Sequence, residues 1–249
     1  HPMTSERMSD MQNRTRHMSP VTHRDSMDFF LVKARARVLQ ETTYDGWLKV
    51  SKSFENELKR HPAGYSLVAT QYGLSVAYAK MNQKDKALTA IRAAKAASKE
   101  NSVILDKHLA ELTYQVAKTQ AQKDQALALA KSTCNQYPYS GLAASNYVEL
   151  LFQSGKHQEL VDYLRNQSAL SRSNPDYHMY LARSYEALGK KSMAFAATGD
   201  MYALLDNPRA AVYQFELAQK ANDGDFYIMS EIDAKLREQR QKVLDQKKD

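Results

Sequence analysis

Cys134 is the single cysteine in 249 residues. One thiol excludes an internal disulfide framework and any multi-cysteine zinc site. Two readings of it stay open: a small residue buried in a helix, or a partner for a cysteine on another segment in an oxidising compartment. Glycine and proline are scarce, at 8 and 6 residues, so long stretches run without a helix breaker. No stretch reaches the roughly eighteen consecutive apolar residues of a membrane span. A secretory h-region is also missing, which leaves the compartment open, because a processed exported chain looks the same.

Chemistry-bearing motifs are missing too. Seven histidines occur (His1, His17, His23, His61, His108, His157 and His178), and none forms His-Glu-x-x-His. "HLAEL" and "HQEL" each hold a His and a Glu without the second ligand. His108 and Glu111 share a helix face, yet two residues cannot close a zinc site. The nucleophile elbow G-x-S-x-G does not occur, and no Gly-rich phosphate loop is present. No catalytic residue and no cofactor are expected in this chain.

What is present reads as an ordinary soluble protein, with 43% hydrophobic and 25% charged residues. The net charge of +7 comes from 35 basic and 28 acidic residues interspersed along the chain. The densest basic runs, "KARAR" (Lys33 to Arg37) and the terminal "KLREQRQKVLDQKKD", fall on predicted helices, where a solvated face accounts for them. Stacked aromatics that would suit nucleic acid are absent, so no nucleic-acid partner is expected.

Helical periodicity covers the chain. "DSMDFFLVKARARVLQET" offers an N-cap at Asp25 or Ser26, then Phe29, Phe30, Val32, Ala36 and Leu39. "YDGWLKVSKSFENELKRHP" spaces Trp47, Val50, Phe54 and Leu58 three or four apart and stops at Pro62. The pattern then repeats. Leu74, Tyr78, Ala87, Ile91 and Ala94 fall where the tetratricopeptide pattern places Leu, Tyr, Ala, Phe and Ala. Ala117, Ala126, Ala130 and Pro138 follow, then Tyr147, Leu151, Gly155, Leu160 and Leu164, then Leu181, Ala182, Tyr185, Gly189 and Ala194. The step from Ala87 to Ala126 is 39 residues, and those to Leu160 and on to Ala194 are 34 each, against a repeat period of about 34. A small residue at the crossing (Ala87, Ala126, Ala194) lets the second helix approach the first. Asn82, Gly155 or Gly189 lets the chain reverse. Each pair leaves an apolar flank that the next pair covers. The expected fold is all-α: a tetratricopeptide-type right-handed superhelix of antiparallel helix pairs, closed by a polar capping helix.

Three stretches add a resemblance. "HPMTSERMSDMQNR", with His1, Pro2 and Arg7, looks like the segment closing the peptidase domain of periplasmic His-Glu-x-x-His zinc metalloproteases that carry a C-terminal repeat array. "DFFLVKARARVL" resembles the first repeat helix after that junction. "GDFYIMSEIDAKLREQ" resembles the family's terminal motif, with Lys235 where Arg is usual. The family is that of the BepA/YfgC-like β-barrel assembly-enhancing proteases. The resemblance implies that residues 1–24 are a remnant of the upstream peptidase domain and linker, and that 25–249 are the repeat array. It further implies a periplasmic, zinc-dependent endopeptidase whose site lies upstream. Its partners would be misfolded or assembling outer-membrane β-barrel proteins, their assembly machinery and the chain's own peptidase domain. The alternative is a free-standing tetratricopeptide scaffold or co-chaperone that binds peptide tails.

The repeat register also nominates a protein-binding groove. The first helix of each pair lines the inside of such a superhelix. Counting from Ala87, Ala126, Leu160 and Ala194 places Tyr72, Lys80, His108, Gln115, Asn146, Glu149, Met179 and Arg183 on or near that face. Their mixture of amides, an aromatic ring, a thioether and both charge signs suits extended polypeptide, whose backbone needs partners while its side chains vary.

Overall fold

The computed structural model describes residues 5–15, 25–167 and 173–246. His1 and Pro2 of the opening motif lie outside the described residues, as do Met3, His17, Met18 and His23. Among the described residues every regular element is an α-helix. They are α1 (Ser5–Thr15), α2 (Met27–Leu39), α3 (Tyr44–Leu58), α4 (Gly64–Lys80), α5 (Lys84–Ala97), α6 (Val103–Val116) and α7 (Gln120–Gln136). There follow α8 (Gly141–Gln153), α9 (His157–Asn166), α10 (Pro175–Ala187), α11 (Lys191–Leu204), α12 (Pro208–Ala221) and α13 (Phe226–Asp245). No described helix is long and apolar enough to cross a membrane.

Local chemistry starts and stops these helices. Ser26, rather than Asp25, caps α2, its hydroxyl accepting from Phe29 N at 3.3 Å. Thr119 and Gln122 form a reciprocal capping box on α7, which satisfies two otherwise orphaned amides. Asn207 caps α12 ahead of Pro208, and Asp225 caps α13. Asn82, Gly155, Gly189 and Asn222 take positive φ of 58°, 69°, 74° and 49° at the reversals inside four pairs. Gly and Asn are the residues that reach this left-handed region at least cost.

From α4 onward consecutive helices pack as antiparallel neighbours, and each pair rests on the next. The entry is different. Both α2 and α3 pack chiefly on α4 rather than on each other, so these two helices straddle α4. This arrangement corrects the expected apolar face of α2. Met27, Leu31, Ala34 and Val38 are buried, whereas Phe29, Val32 and Leu39 face outward. A helix with apolar residues on both sides does not declare its core face by periodicity alone, and contact with α4 selects one. Among the described residues α1 shares no substantial interface with the array, and Met8 and Met11 are exposed on it.

Burial is continuous along the stack, from the α2–α6 core through a second centred on α6–α11 to a smaller one on α11–α13. Of the predicted small crossing residues, Ala87 and Ala126 are each 0% exposed, as is Leu160 at the same register position, whereas Ala194 is only half-buried. The terminal motif is part of this scaffold. Ile232 and Leu236 are buried, and the Lys235 ammonium bridges Asp200 of α11 and Glu231 at 2.8 Å each. Phe226 and Tyr227 of the same motif instead project into solvent with their rings edge to face. The outer face of α13 beyond them is charged and polar. The basic runs are largely engaged within the fold: Arg35 donates to Tyr72, Arg37 pairs with Glu57 at 2.8 Å, and Arg240 pairs with Glu216 at 2.7 Å.

Candidate functional site

The eight groove residues separate into two groups. Lys80, Gln115, Glu149 and Arg183 are exposed and Met179 is half-buried. Tyr72, His108 and Asn146 are 1%, 6% and 2% exposed, which corrects their expected place on an open surface. The cause is lateral. First helices of neighbouring repeats close against one another, α2 on α4 and α6 on α8, and the His108 ring of α6 is covered by Tyr72 and Ser75 of α4, so these residues lose their access to solvent. Tyr72 illustrates the closure. Its hydroxyl accepts from Arg35 Nη1 of α2 at 3.4 Å, and its ring meets the His108 ring of α6 edge to face at 5.4 Å.

Beside Tyr72 the fold assembles a trio absent from the linear sequence pattern. His108 Nε2 lies 3.1 Å from Ser75 Oγ, and His108 Nδ1 lies 3.8 Å from Glu111 Oε2. Serine, histidine and a carboxylate in this order are the parts of an acyl-transfer triad. Here they do not form one. Ser75 is 0% exposed, and its hydroxyl donates to the carbonyl of Ala87 at 2.7 Å. Its proton is therefore committed to the backbone, and His108 Nε2–H donates to Ser75 Oγ, an assignment made from the hydrogen-bond network. No substrate carbonyl can reach the serine. The trio is a polar staple that joins α4, α5 and α6.

Its electrostatics follow from burial. Desolvation lowers the His108 imidazole below its usual value, against the opposing pull of Glu111. Burial would raise the Glu111 carboxyl, but the His108 ring and the Lys107 ammonium outweigh it and bring the group down to about 2. Lys107 Nζ stands 2.7 Å from Glu111 Oε2. Among the described residues no group of three His, Cys, Asp or Glu side chains converges as a metal site.

Cys134 is buried on α7 and its sulfur accepts from the Tyr163 hydroxyl at 3.5 Å. Desolvation raises its thiol, partly offset by that hydrogen bond. Of the two readings drawn from the sequence, its surroundings match the buried helix residue. A raised thiol pKa also makes it a poor nucleophile.

An open cleft lies further along the array. It has a volume of about 390 Å³ and is walled by α10 and α12 over a floor contributed by α11. Met179 and Arg183, the last two residues nominated from the register, both line it, together with Ala182, Phe195, Met201 and Gln214. The cleft opens where α12 seats on α11 more extensively than the earlier second helices seat on the first helices that follow them. Helices α10 and α12 share no substantial interface, while α12 seats firmly on α11. That seat is at Gly199, where an added Cβ would stand 2.8 Å from the Phe215 ring. Packing on the Gly199 side leaves the Ala194 edge of α11 partly uncovered, although Ala87, Ala126 and Leu160 are sealed at the same register position. Sequence reasoning found the α10 wall of the cleft and missed Phe195, Met201 and Gln214, because second-helix positions of this register are covered in the other repeats. The only available signal was Gly199, a glycine inside a helix.

No family model matches the chain. Over 212 residues it is 24% identical to the β-barrel assembly-enhancing protease of Escherichia coli (strain K12), covering 82% of this chain and 40% of that protein. The protein of the same name from Shigella flexneri aligns with the same figures. The chain thus spans about 40% of the length of the curated relatives it matches. Among solved structures, MamA AMB-1 superposes with a TM-score of 0.50 at 17% identity, over 72% of this chain and 92% of that one. A tetratricopeptide repeat protein from Parabacteroides merdae ATCC 43184 gives 0.48 at 11% identity, over 94% and 90%. The fold is an all-α, tetratricopeptide-type helical repeat array.

Proposed function

We propose that this array is the polypeptide-binding part of a larger periplasmic protein that carries a zinc endopeptidase site outside these residues. In this reading it takes up misfolded or assembling outer-membrane β-barrel proteins, or subunits of their assembly machinery, and presents them to the protease. The observation that carries the binding role is the cleft at the α10–α12 junction. An apolar floor open to solvent, under charged residues that form no ion pair among the described residues, is a surface suited to ligand rather than to structure. The protease association is supported by the 24% identity to the curated proteases. Any zinc would belong to residues outside this chain.

The binding role is tested by photocrosslinking an unfolded outer-membrane β-barrel precursor to the whole chain. A photoreactive residue is placed at Met179 or Arg183 in the cleft, or at the exposed Lys52 or Arg92 on second helices. Adducts from the first two positions and none from the last two are expected. Adducts of equal yield at all four, or only from Lys52 and Arg92, would overturn the assignment. The protease association is tested separately by reading the gene upstream of His1, where a His-Glu-x-x-His codon run is expected.

A further inference from the structure

We infer that the α10–α11–α12 cleft recognises an extended polypeptide through one large apolar side chain that has an acidic residue within two positions of it. This inference rests on the polypeptide-binding reading above and specifies its ligand. The floor supplies the apolar half. Met179, Phe195 and Met201 are half-buried there, and the small neighbours Ala182 and Ala194 leave the space between them unfilled. Burying a further apolar side chain on such a surface is favourable by roughly 25 cal/mol per Å². Two thioethers on unbranched stems let the floor adapt to aromatic or aliphatic shapes. A volume of about 390 Å³ sits near the lower end of ligand pockets, enough for one or two large side chains and too small for a folded element.

The rim supplies the charge preference. Arg183, Glu186 and Lys191 surround the mouth. Arg183 and Glu186 lie three apart on α10 and yet do not pair with each other, and neither they nor Lys191 form an ion pair or side-chain hydrogen bond within the described residues. Two cations against one anion favour a carboxylate beside the anchor. Arg183, planar and always charged, can take it bidentately. Glu186 and the Gln214 amide also argue for polypeptide over an anionic lipid. A second carboxylate at the mouth repels a phosphate headgroup, whereas it accepts from a peptide N–H, and an amide serves both backbone groups.

The test is fluorescence anisotropy of the whole chain with three labelled nonapeptides that differ from one Gly/Ser-rich frame at two central positions. One carries Asp two residues before Phe, one replaces that Phe by Ala, and one replaces the Asp by Lys. The Asp/Phe peptide should bind most tightly. Loss of Phe should weaken binding roughly ten- to a hundredfold, and the Asp-to-Lys change roughly two- to fivefold. In the variant Arg183→Glu the charge preference should reverse, so that the Lys/Phe peptide binds more tightly than the Asp/Phe peptide. Arg183 is exposed and forms no ion pair among the described residues, so the variant should keep the parent's helicity and melting temperature, which circular dichroism checks. Equal binding of all three peptides, or a charge preference that Arg183→Glu leaves unchanged, would overturn this inference while leaving general polypeptide binding intact. Failure of any peptide and of an unfolded precursor to bind would overturn both. Binding of phosphatidylglycerol vesicles that displaces the Asp/Phe peptide would assign the cleft to lipid instead.

Discussion

Ser75 Oγ lies 3.1 Å from His108 Nε2 and directs its own proton to the carbonyl of Ala87 at 2.7 Å. The pair ties two successive repeats together through a donor chain that runs from α6 across α4 to the crossing residue of α5. The same imidazole leans on Glu111, and Tyr72 closes it from the other side. Acid should therefore act on this junction before it acts on the rest of the array.

His108 and Glu111 both bind protons less readily in the fold than in the unfolded chain. A depressed folded pKa means that the unfolded state takes up protons first, so stability falls as pH falls. The His108 contribution is complete above its unfolded value of 6.5 and fades below it. That of Glu111 is complete above 4.5 and is lost toward about 2. Thermal melts between pH 7.5 and 4 should show a falling melting temperature, and His108→Gln should flatten the slope between pH 7 and 5.5. The groups facing His108 are Glu111, Lys107, Arg35, Tyr72 and Ser75; burial holds the Tyr72 hydroxyl up, and the Glu111 carboxyl is held down to about 2. An unchanged slope in the variant would remove His108 from the account.

Gly73 has no room for a side chain, because a Cβ there would run into the edge of the buried Phe54 ring. Gly73→Ala should destabilise the fold in spite of alanine's better helix propensity. Overpacking costs roughly 1–3 kcal/mol, and the propensity gain returns up to about 1 kcal/mol. For a chain of this size, each kcal/mol lowers the melting temperature by roughly 2–4 °C. Phe54→Leu in the Gly73→Ala background should recover part of the loss if the clash is the cause, and a double variant no better than additive would refute it.

The crossing residues offer a direct comparison. Ala126 is sealed, while Ala194 borders the cleft. Ala126→Leu should cost roughly 1–3 kcal/mol by overpacking. Ala194→Leu should change stability by less than about 0.5 kcal/mol, as partly exposed sites usually do, and should weaken binding of the Asp/Phe peptide by filling its seat. Equal destabilisation of the two variants in urea melts would show that the α11–α12 junction closes like the others.

Lys235 holds Asp200 and Glu231 together at the α11–α13 contact. Lys235→Met removes the cation and leaves two carboxylates facing each other, at a cost of roughly 1–3 kcal/mol, between the values for exposed and buried pairs. Lys235→Arg should retain most of the stability. Urea denaturation of the three proteins separates a charge role from simple packing, since methionine keeps much of the apolar stem.

Cys134 should react slowly with iodoacetamide in the native state at pH 8 and rapidly in 6 M guanidinium, because the fold both covers the thiol and disfavours its anion. Native labelling at the unfolded rate would contradict that burial.

Much of this molecule was legible in one dimension. Helix caps, the reversals at Asn82, Gly155 and Gly189, and the sealed crossings at Ala87 and Ala126 are local properties, because a helix pair is stabilised by contacts within some forty residues and its signals recur with that spacing. What the sequence could not settle is how one pair meets the next. Tyr72, His108 and Asn146 stand at register positions that open arrays expose; α2 closes over α4 beside Tyr72, Tyr72 and Ser75 of α4 cover His108, and α8, which carries Asn146, closes on α6. The outward face of α2 was undecidable for the same reason, since Leu31 and Val32 are equally apolar and only the position of α4 tells them apart. The cleft is the last such case. Met179 and Arg183 came from periodicity, but the open floor beneath them depends on Phe215 settling against Gly199, a contact between repeats. Angles between neighbouring repeats are set by a few side-chain volumes at a junction, and no period in the sequence records them.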